Sequence, residues 1–259
     1  MAQRKLSQIF FPSWVAATYM FLYIPILVLV VFSFNSISFP YRWESFSWQW
    51  YQELFVSADI WQAVQNSLIV GFSSVALSLV LALLFVIWCA EKKIDYLMGI
   101  FYPNLVVPEI VLAVGLLSFF VFFNIPFGLH TLIVGHTLLG LGYAIPIVYN
   151  RFHSLDPRII EASLDLGATY KQTFFKVILP MLYPALLAAG ILVFILSLDD
   201  FLIAFFCSGT ASQTLSLYIF AMVRSGVSPV VNALATLMMV VSSALVIAFC
   251  SVKAKEGVV

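Results

Sequence analysis

Charge is scarce in this sequence. Only 9% of its 259 residues are Asp, Glu, Lys or Arg, and the 12 basic and 12 acidic side chains cancel to a formal net charge of zero. Against 63% hydrophobic residues and a mean hydropathy of +1.07, so small a polar complement cannot cover a water-soluble globule. Catalytic signatures are missing too. No G-x-x-x-x-G-K-[ST] segment occurs and no lysine follows a glycine, so the chain has no phosphate-cradling loop and does not hydrolyse ATP by itself. H-E-x-x-H, paired-cysteine and G-x-S-x-G patterns are absent, which leaves no basis for catalysis, a metal or a bound cofactor. The three cysteines, Cys89, Cys207 and Cys250, fall in or at the ends of apolar runs and read as small hydrophobes.

What fills the chain instead is apolar runs of the length a helix needs to cross a hydrocarbon core of about 30 Å. Six are drawn, at 14–34, 66–90, 97–123, 129–150, 181–207 and 231–252. Lipid tolerates no unpaired backbone and the alternation of a membrane barrel strand is absent, so the expected fold is all-α and polytopic, one transmembrane domain over 1–259. Arg4 and Lys5 ahead of the first run suggest a signal peptide, but the run is long, contains Pro25 and lacks a small-residue cleavage site, so it reads as a permanent anchor.

The basic residues set an expected orientation. Arg4, Lys5, Lys92, Lys93, Arg151, Arg158, Lys171, Lys176, Lys253 and Lys255 fall on one side of a six-span chain, and Arg42 and Arg224 on the other. The positive-inside rule then predicts cytoplasmic termini and a cytoplasmic segment 151–180. The outer loop 35–65 carries Trp43, Trp48, Trp50 and Trp61 with Tyr41 and Tyr51, which predicts one or two short helices at the headgroup level; a direct role in binding substrate is the alternative. The outward segment 208–229, with Gln213, Tyr218 and Arg224, is a candidate contact for a protein that delivers substrate.

Residues 159–180, IIEASLDLGATYKQTFFKVILP, interrupt the oily pattern. Ile159 to Leu166 has helix-forming composition, Gly167 breaks it, and Tyr170 to Ile178 can resume a helix that Pro180 separates from the next span. Leu155, Ile159, Leu166, Phe174, Phe175 and Val177 give this unit an apolar side, and Glu161, Asp165, Lys171 and Lys176 a polar one. Glu161-Ala162-Ser163, three residues, Gly167, nine residues and Val177-Ile178-Leu179-Pro180 resemble the signature E-A-A, three residues, G, nine residues, I-x-L-P of the membrane permeases of binding-protein-dependent ABC importers. Ser163 stands where the second alanine is usual and Val177 where isoleucine is usual.

The resemblance continues through FLYIPILVLVVFSFN, VVPEIVLAV, SLDDF and RSGVSPVVNALAT, which look like the C-type permeases of spermidine/putrescine importers. It implies the type I importer permease fold and a place in a bacterial inner membrane. The implied partners are a second permease subunit, two copies of a cytoplasmic ATPase, an extracytoplasmic binding protein, membrane lipid and a polyamine cargo, with no nucleic acid. In such importers the loop docks into a cleft on the ATPase. By position Glu161, Ala162 and Ser163 would meet that partner, Gly167 would supply the bend, Phe174 and Phe175 would anchor the element beneath the membrane, and Pro180 would close the coupling segment.

The acids inside the spans bear on cargo. Glu109 lies about 12 residues, or about 18 Å, into the third span, and a carboxylate at mid-bilayer costs roughly 2.5 to 3.5 kcal/mol unless it faces water or a partner. Asp199 and Asp200 lie farther along the fifth span, a quarter-turn apart. These three are candidates for the translocation pathway, where carboxylates would replace part of the hydration of a polyamine's amines and repel anions. The alternative is that Glu109 is buried neutral, or pairs with His136 or a charge of the other permease. His130 and His153 read as interfacial residues. Two rival functions stay open: an importer for another cationic or neutral solute, and a self-contained ion-coupled secondary transporter.

Overall fold

The computed structural model describes residues 2–37, 42–92, 95–101, 107–225 and 229–255; Tyr41, Lys93 and Ser228 lie outside them. Eleven α-helices run through the described residues: α1 Ala2–Phe32, α2 Gln49–Val56, α3 Ala58–Lys92, α4 Glu109–Phe122, α5 Leu129–His153, α6 Pro157–Asp165, α7 Tyr170–Thr173, α8 Leu179–Asp199, α9 Leu202–Cys207, α10 Leu215–Ser225 and α11 Pro229–Lys255. No strand occurs among them beyond one isolated bridge between Asn35 and Phe46. Among the described residues four stretches are long and apolar enough to cross a membrane: Trp14–Phe32, Ala58–Cys89, Leu129–His153 and Tyr170–Asp199.

Two expected spans have different helical limits. In place of one helix over 97–123, a 3-10 turn at Asp95–Ile100 precedes α4, which starts at Glu109 because Pro108 takes an extended backbone and caps it. The fifth span breaks at Asp200, whose ψ of 124° ends α8 before α9 begins. Conversely, Pro180 does not separate the loop from that span. Helix continues from Tyr170 to Asp199 through a π turn at Phe174–Ile178, closed by the Leu179 amide on the Phe174 carbonyl. A proline ring clashes with the carbonyl four residues back and offers it no N–H. The wider π turn absorbs that defect without stopping the helix.

The chain forms two compact units, Met1–Ile60 with Ile219–Val259, and Trp61–Tyr218. In the first, α11 packs on α1 and α2. The turn after α1 is organised by Asn35: its amide donates to the Arg42 carbonyl at 2.7 Å and accepts from the Glu44 amide at 3.0 Å, while the Trp50 indole donates to its carbonyl. Phe34 stacks on Phe46 and Tyr51 and meets Trp48 edge-on, so the aromatic-rich loop holds one short helix, α2, beside a ring cluster.

In the second unit α3, α5 and α8 share a core of Ala82, Val86, Ala144, Ile145, Val148, Leu182, Ala189 and Val193. Apolar burial is no driving force between helices in lipid, so close approach of small residues carries the packing. Ser74, Ser78 and Ala82 are fully buried, and Ser78 Oγ donates to the Thr137 carbonyl on α5 at 3.2 Å. Gly140 allows this contact, because a Cβ there would sit 2.5 Å from Ser78 Oγ and 2.7 Å from Val193 Cγ1. Gly140→Leu is expected to destabilise the unit by about 1 to 3 kcal/mol. Thermal unfolding in detergent measures it; an unchanged midpoint would contradict this packing.

A second core, of Leu116, Phe120, Leu132, Leu139, Ile203 and Ala204 among others, joins α4, α5 and α9. It seats the short α9 against the two helices that carry Glu109 and His136.

Candidate functional site

Two features of the second unit carry chemistry. The first is the segment 156–180. Asp156 caps α6, its carboxylate accepting from the Arg158 amide at 3.0 Å, with Pro157 in the first turn. At the other end Gly167 has a φ of +85°, the Gly167 amide donates to the Leu164 carbonyl at 2.8 Å, and the Ala168 amide donates to the Ser163 carbonyl at 3.2 Å. These paired bonds satisfy the last carbonyls of α6 with a left-handed residue after the cap, the geometry that glycine adopts without strain. Thr169 and Gln172 then cap α7 reciprocally.

The two arms are tied by one side-chain contact, Ser163 Oγ to Thr173 Oγ1 at 3.0 Å, with Thr173 buried. The departure from alanine at 163 therefore has a use in this chain. Ser163→Ala is expected to cost no more than about 1 kcal/mol, the worth of one partly exposed neutral hydrogen bond. A thermal midpoint lowered by more than that would show the contact to be a larger brace.

Glu161 and Ala162 are exposed on α6 and Pro180 in the first turn of α8. Phe174 is half-buried and edge-on to the exposed Phe175, with ring centroids 4.9 Å apart. Leu166, placed by composition on the apolar side, is instead 89% exposed, and Tyr170 is 79% exposed. The left-handed turn swings both outward, so apolar surface clusters at the tip of the bend.

The second feature gathers acids from separate helices. Asp200 is buried where α8 ends, and its carboxylate accepts from the Ile203 amide at 3.3 Å and the Ala204 amide at 3.0 Å, which fastens it to the first turn of α9. Its carbonyl accepts from Ser216 Oγ at 2.6 Å. The half-buried Glu109, first residue of α4, lies close enough to Asp200 for the two acids to interact electrostatically. His136 on α5 completes the group, with Nδ1 2.7 Å from Ser197 Oγ and Nε2 3.3 Å from Asp200 Oδ2.

Glu109 is thus placed by a helix start and a neighbour rather than by depth along a continuous span. Two helix N-termini, of α4 and α9, each present a carboxyl to the other; the partial positive charge of such ends offsets part of the repulsion between acids. Asp199, by contrast, is exposed. Ser197 is the member that sequence reading overlooked; its position three residues before Asp200 on one helix was the available signal. Among the described residues no group of three or more His, Cys, Asp or Glu is arranged to hold a metal.

No protein-family model matches the sequence. Named relatives do. The chain is 37% identical over 232 residues, 88% of its length and 90% of the relative's, to the spermidine/putrescine transport system permease protein PotC of Haemophilus influenzae. It is 36% identical over 238 residues to PotC of Escherichia coli strain K12, and 34% identical over 229 residues to the putrescine transport system permease protein PotI of the same strain. Among solved structures, a chain of a bacterial ABC transporter involved in the import of alginate matches with a TM-score of 0.75 over 98% of both chains, at 14% identity. A chain of the MetNI methionine ABC transporter in an inward-facing conformation matches with a TM-score of 0.54 over 77% of this chain and 94% of that one. With a mostly helical fold of ABC-transporter type and PotC relatives matched along nine-tenths of their length, the chain belongs to the family of spermidine/putrescine transport system permease proteins and is a transport subunit, not an enzyme.

Proposed function

We propose that this chain forms half of the path by which an ATP-driven importer moves polyamines through a bacterial inner membrane. The observation that carries the cargo is its identity of 36% to 37% with permeases named for spermidine and putrescine over about nine-tenths of its length. The whole of 1–259 acts as one permease domain, with six spans and both termini cytoplasmic; the ten-to-two bias of basic residues supports that orientation. A second permease subunit supplies the other half, two ATPase subunits drive the cycle, and an extracytoplasmic binding protein delivers cargo.

Coupling falls to the bend at Gly167. Glu161, Ala162 and Ser163 on one arm, with the exposed apolar tip, meet the ATPase; Phe174, Phe175 and Pro180 join the other arm to α8 without a break, so a push on the tip reaches Asp200 along one helix. Glu109, Asp200 and Asp199 serve the pathway. A carboxylate there can replace part of the water lost by an ammonium group and still release it, provided each contact stays weak. The test is uptake of labelled spermidine and putrescine by the reconstituted complex in competition with neutral and anionic solutes. Competition by either polyamine and by neither other class is expected; competition by an anion would reject the cargo assignment.

A further inference from the structure

The acid pair has a companion whose geometry is unusual. His136 is 1% exposed, so its ring has no water to turn to. Its Nδ1 is committed to Ser197 Oγ at 2.7 Å. Its Nε2 points at Asp200 Oδ2 from 3.3 Å without the alignment of a hydrogen bond, and it has no other partner among the described residues. A buried ring nitrogen without a hydrogen bond costs about 1 to 3 kcal/mol, and native folds seldom keep one idle.

Asp200 shows what the arrangement does. Both of its carboxylate oxygens accept amides from α9, at 3.3 Å and 3.0 Å, and its backbone is held by Ser216. The carboxylate is therefore anchored, with Glu109 as its acidic neighbour and His136 against Oδ2. A fully aligned histidine bond would consume acceptor capacity that the contact with Glu109 needs. An apolar residue would leave that side of the carboxylate without a positive pole to orient it. A ring held by Ser197 with its Nε2 near, but not hydrogen-bonded to, Asp200 does neither.

We infer that His136 is a positioning residue for Asp200: with Nδ1 accepting from Ser197 Oγ and its proton on Nε2, it orients the buried Asp200 carboxyl against Glu109, the half-buried acid that meets the cargo's ammonium group. This inference rests on the reading of Glu109 and Asp200 as pathway acids. The other titratable groups that Asp200 interacts with among the described residues are Glu109 on α4 and the buried Cys207 thiol on α9. Cys207, at the far end of α9, contributes its carbonyl to Thr131.

The reconstituted complex tests it through initial rates of ATP-dependent spermidine uptake at increasing concentrations of loaded binding protein. His136→Ala is expected to lower the maximal rate about tenfold and leave the half-saturating concentration within twofold, since docking of the delivery protein is untouched. His136→Gln, which returns an N–H near the Nε2 position, restores the rate to within threefold of the parent. Ser197→Ala, which frees the ring, lowers it about threefold. In an Asp200→Asn background, where the amide oxygen still caps α9, His136→Ala adds less than a twofold loss, because its target is gone.

A tenfold further loss in that background, or no rescue by His136→Gln in a complex that assembles, would show that His136 acts on packing alone and overturn the inference. Glu109→Gln separates this from the premise. If that variant transports normally the pathway reading itself fails; if it is impaired while His136→Ala is not, only the role of His136 falls.

Discussion

Gly167→Val is expected to reduce ATP-driven uptake by tenfold or more in a complex that still assembles and still hydrolyses ATP. The reason is confined to the backbone. Gly167 holds a φ of +85°, while a Cβ built on it meets nothing within 4 Å, so a side chain there causes strain without collision. For an L-residue the left-handed region costs about 1 to 2 kcal/mol, and a β-branched residue is among the worst suited to it. Relief comes by opening the bonds from Gly167 to Leu164 and from Ala168 to Ser163, which set the angle between α6 and α7. The tip bearing Leu166 and Tyr170 then no longer presents the same surface. Gly167→Asn supplies the control, because asparagine tolerates this conformation and should keep most of the transport. Equal losses in both variants would mean that side-chain bulk at the contact, and not the bend, is what matters.

Glu109→Gln is the second large effect expected. The substitution keeps shape and replaces the acid beside Asp200 with a neutral amide. A hydrogen bond to a charged group is worth about 1.5 to 3 kcal/mol, and each 1.4 kcal/mol is a factor of ten, so uptake should fall roughly ten- to a hundredfold. Assembly should change little, since Glu109 is half-buried at a helix start and an amide is accommodated there as readily as a carboxyl. Uptake and complex yield measured on the same preparation decide it. A loss of yield in step with uptake would assign Glu109 to structure.

Much of this was legible in the chain because the relevant physics is local. Apolar runs long enough to span lipid announce themselves by composition, and Trp14–Phe32, Ala58–Cys89 and Leu129–His153 lie close to where the runs at 14–34, 66–90 and 129–150 are drawn. The bend is legible for the same reason: Asp156, Pro157, Gly167 and Thr169 are cap and turn residues whose roles depend on neighbours a few positions away. Hydropathy, however, reports what a segment is made of and not how its backbone is bonded. It therefore missed the helix starts at Pro108 and after Asp200, and it offered no hint that a π turn would carry the helix past Pro180.

The acid cluster shows the same limit at longer range. Glu109, Asp200 and even His136 stand out singly as polar residues in oily surroundings, and pairing of Glu109 with His136 was one reading open from sequence. That Asp200 lies between them, with Ser197 behind the histidine, depends on how α4, α5, α8 and α9 converge, which no spacing in the chain encodes.

This subunit is expected to move cargo only as part of a motor-driven assembly. Labelled spermidine uptake into proteoliposomes tests it most directly, comparing the complete complex with and without ATP against this chain alone under an imposed ion gradient. Uptake by the complete complex with ATP, and by nothing else, is the predicted result; uptake by the chain alone without ATP would contradict it and establish an ion-coupled transporter instead.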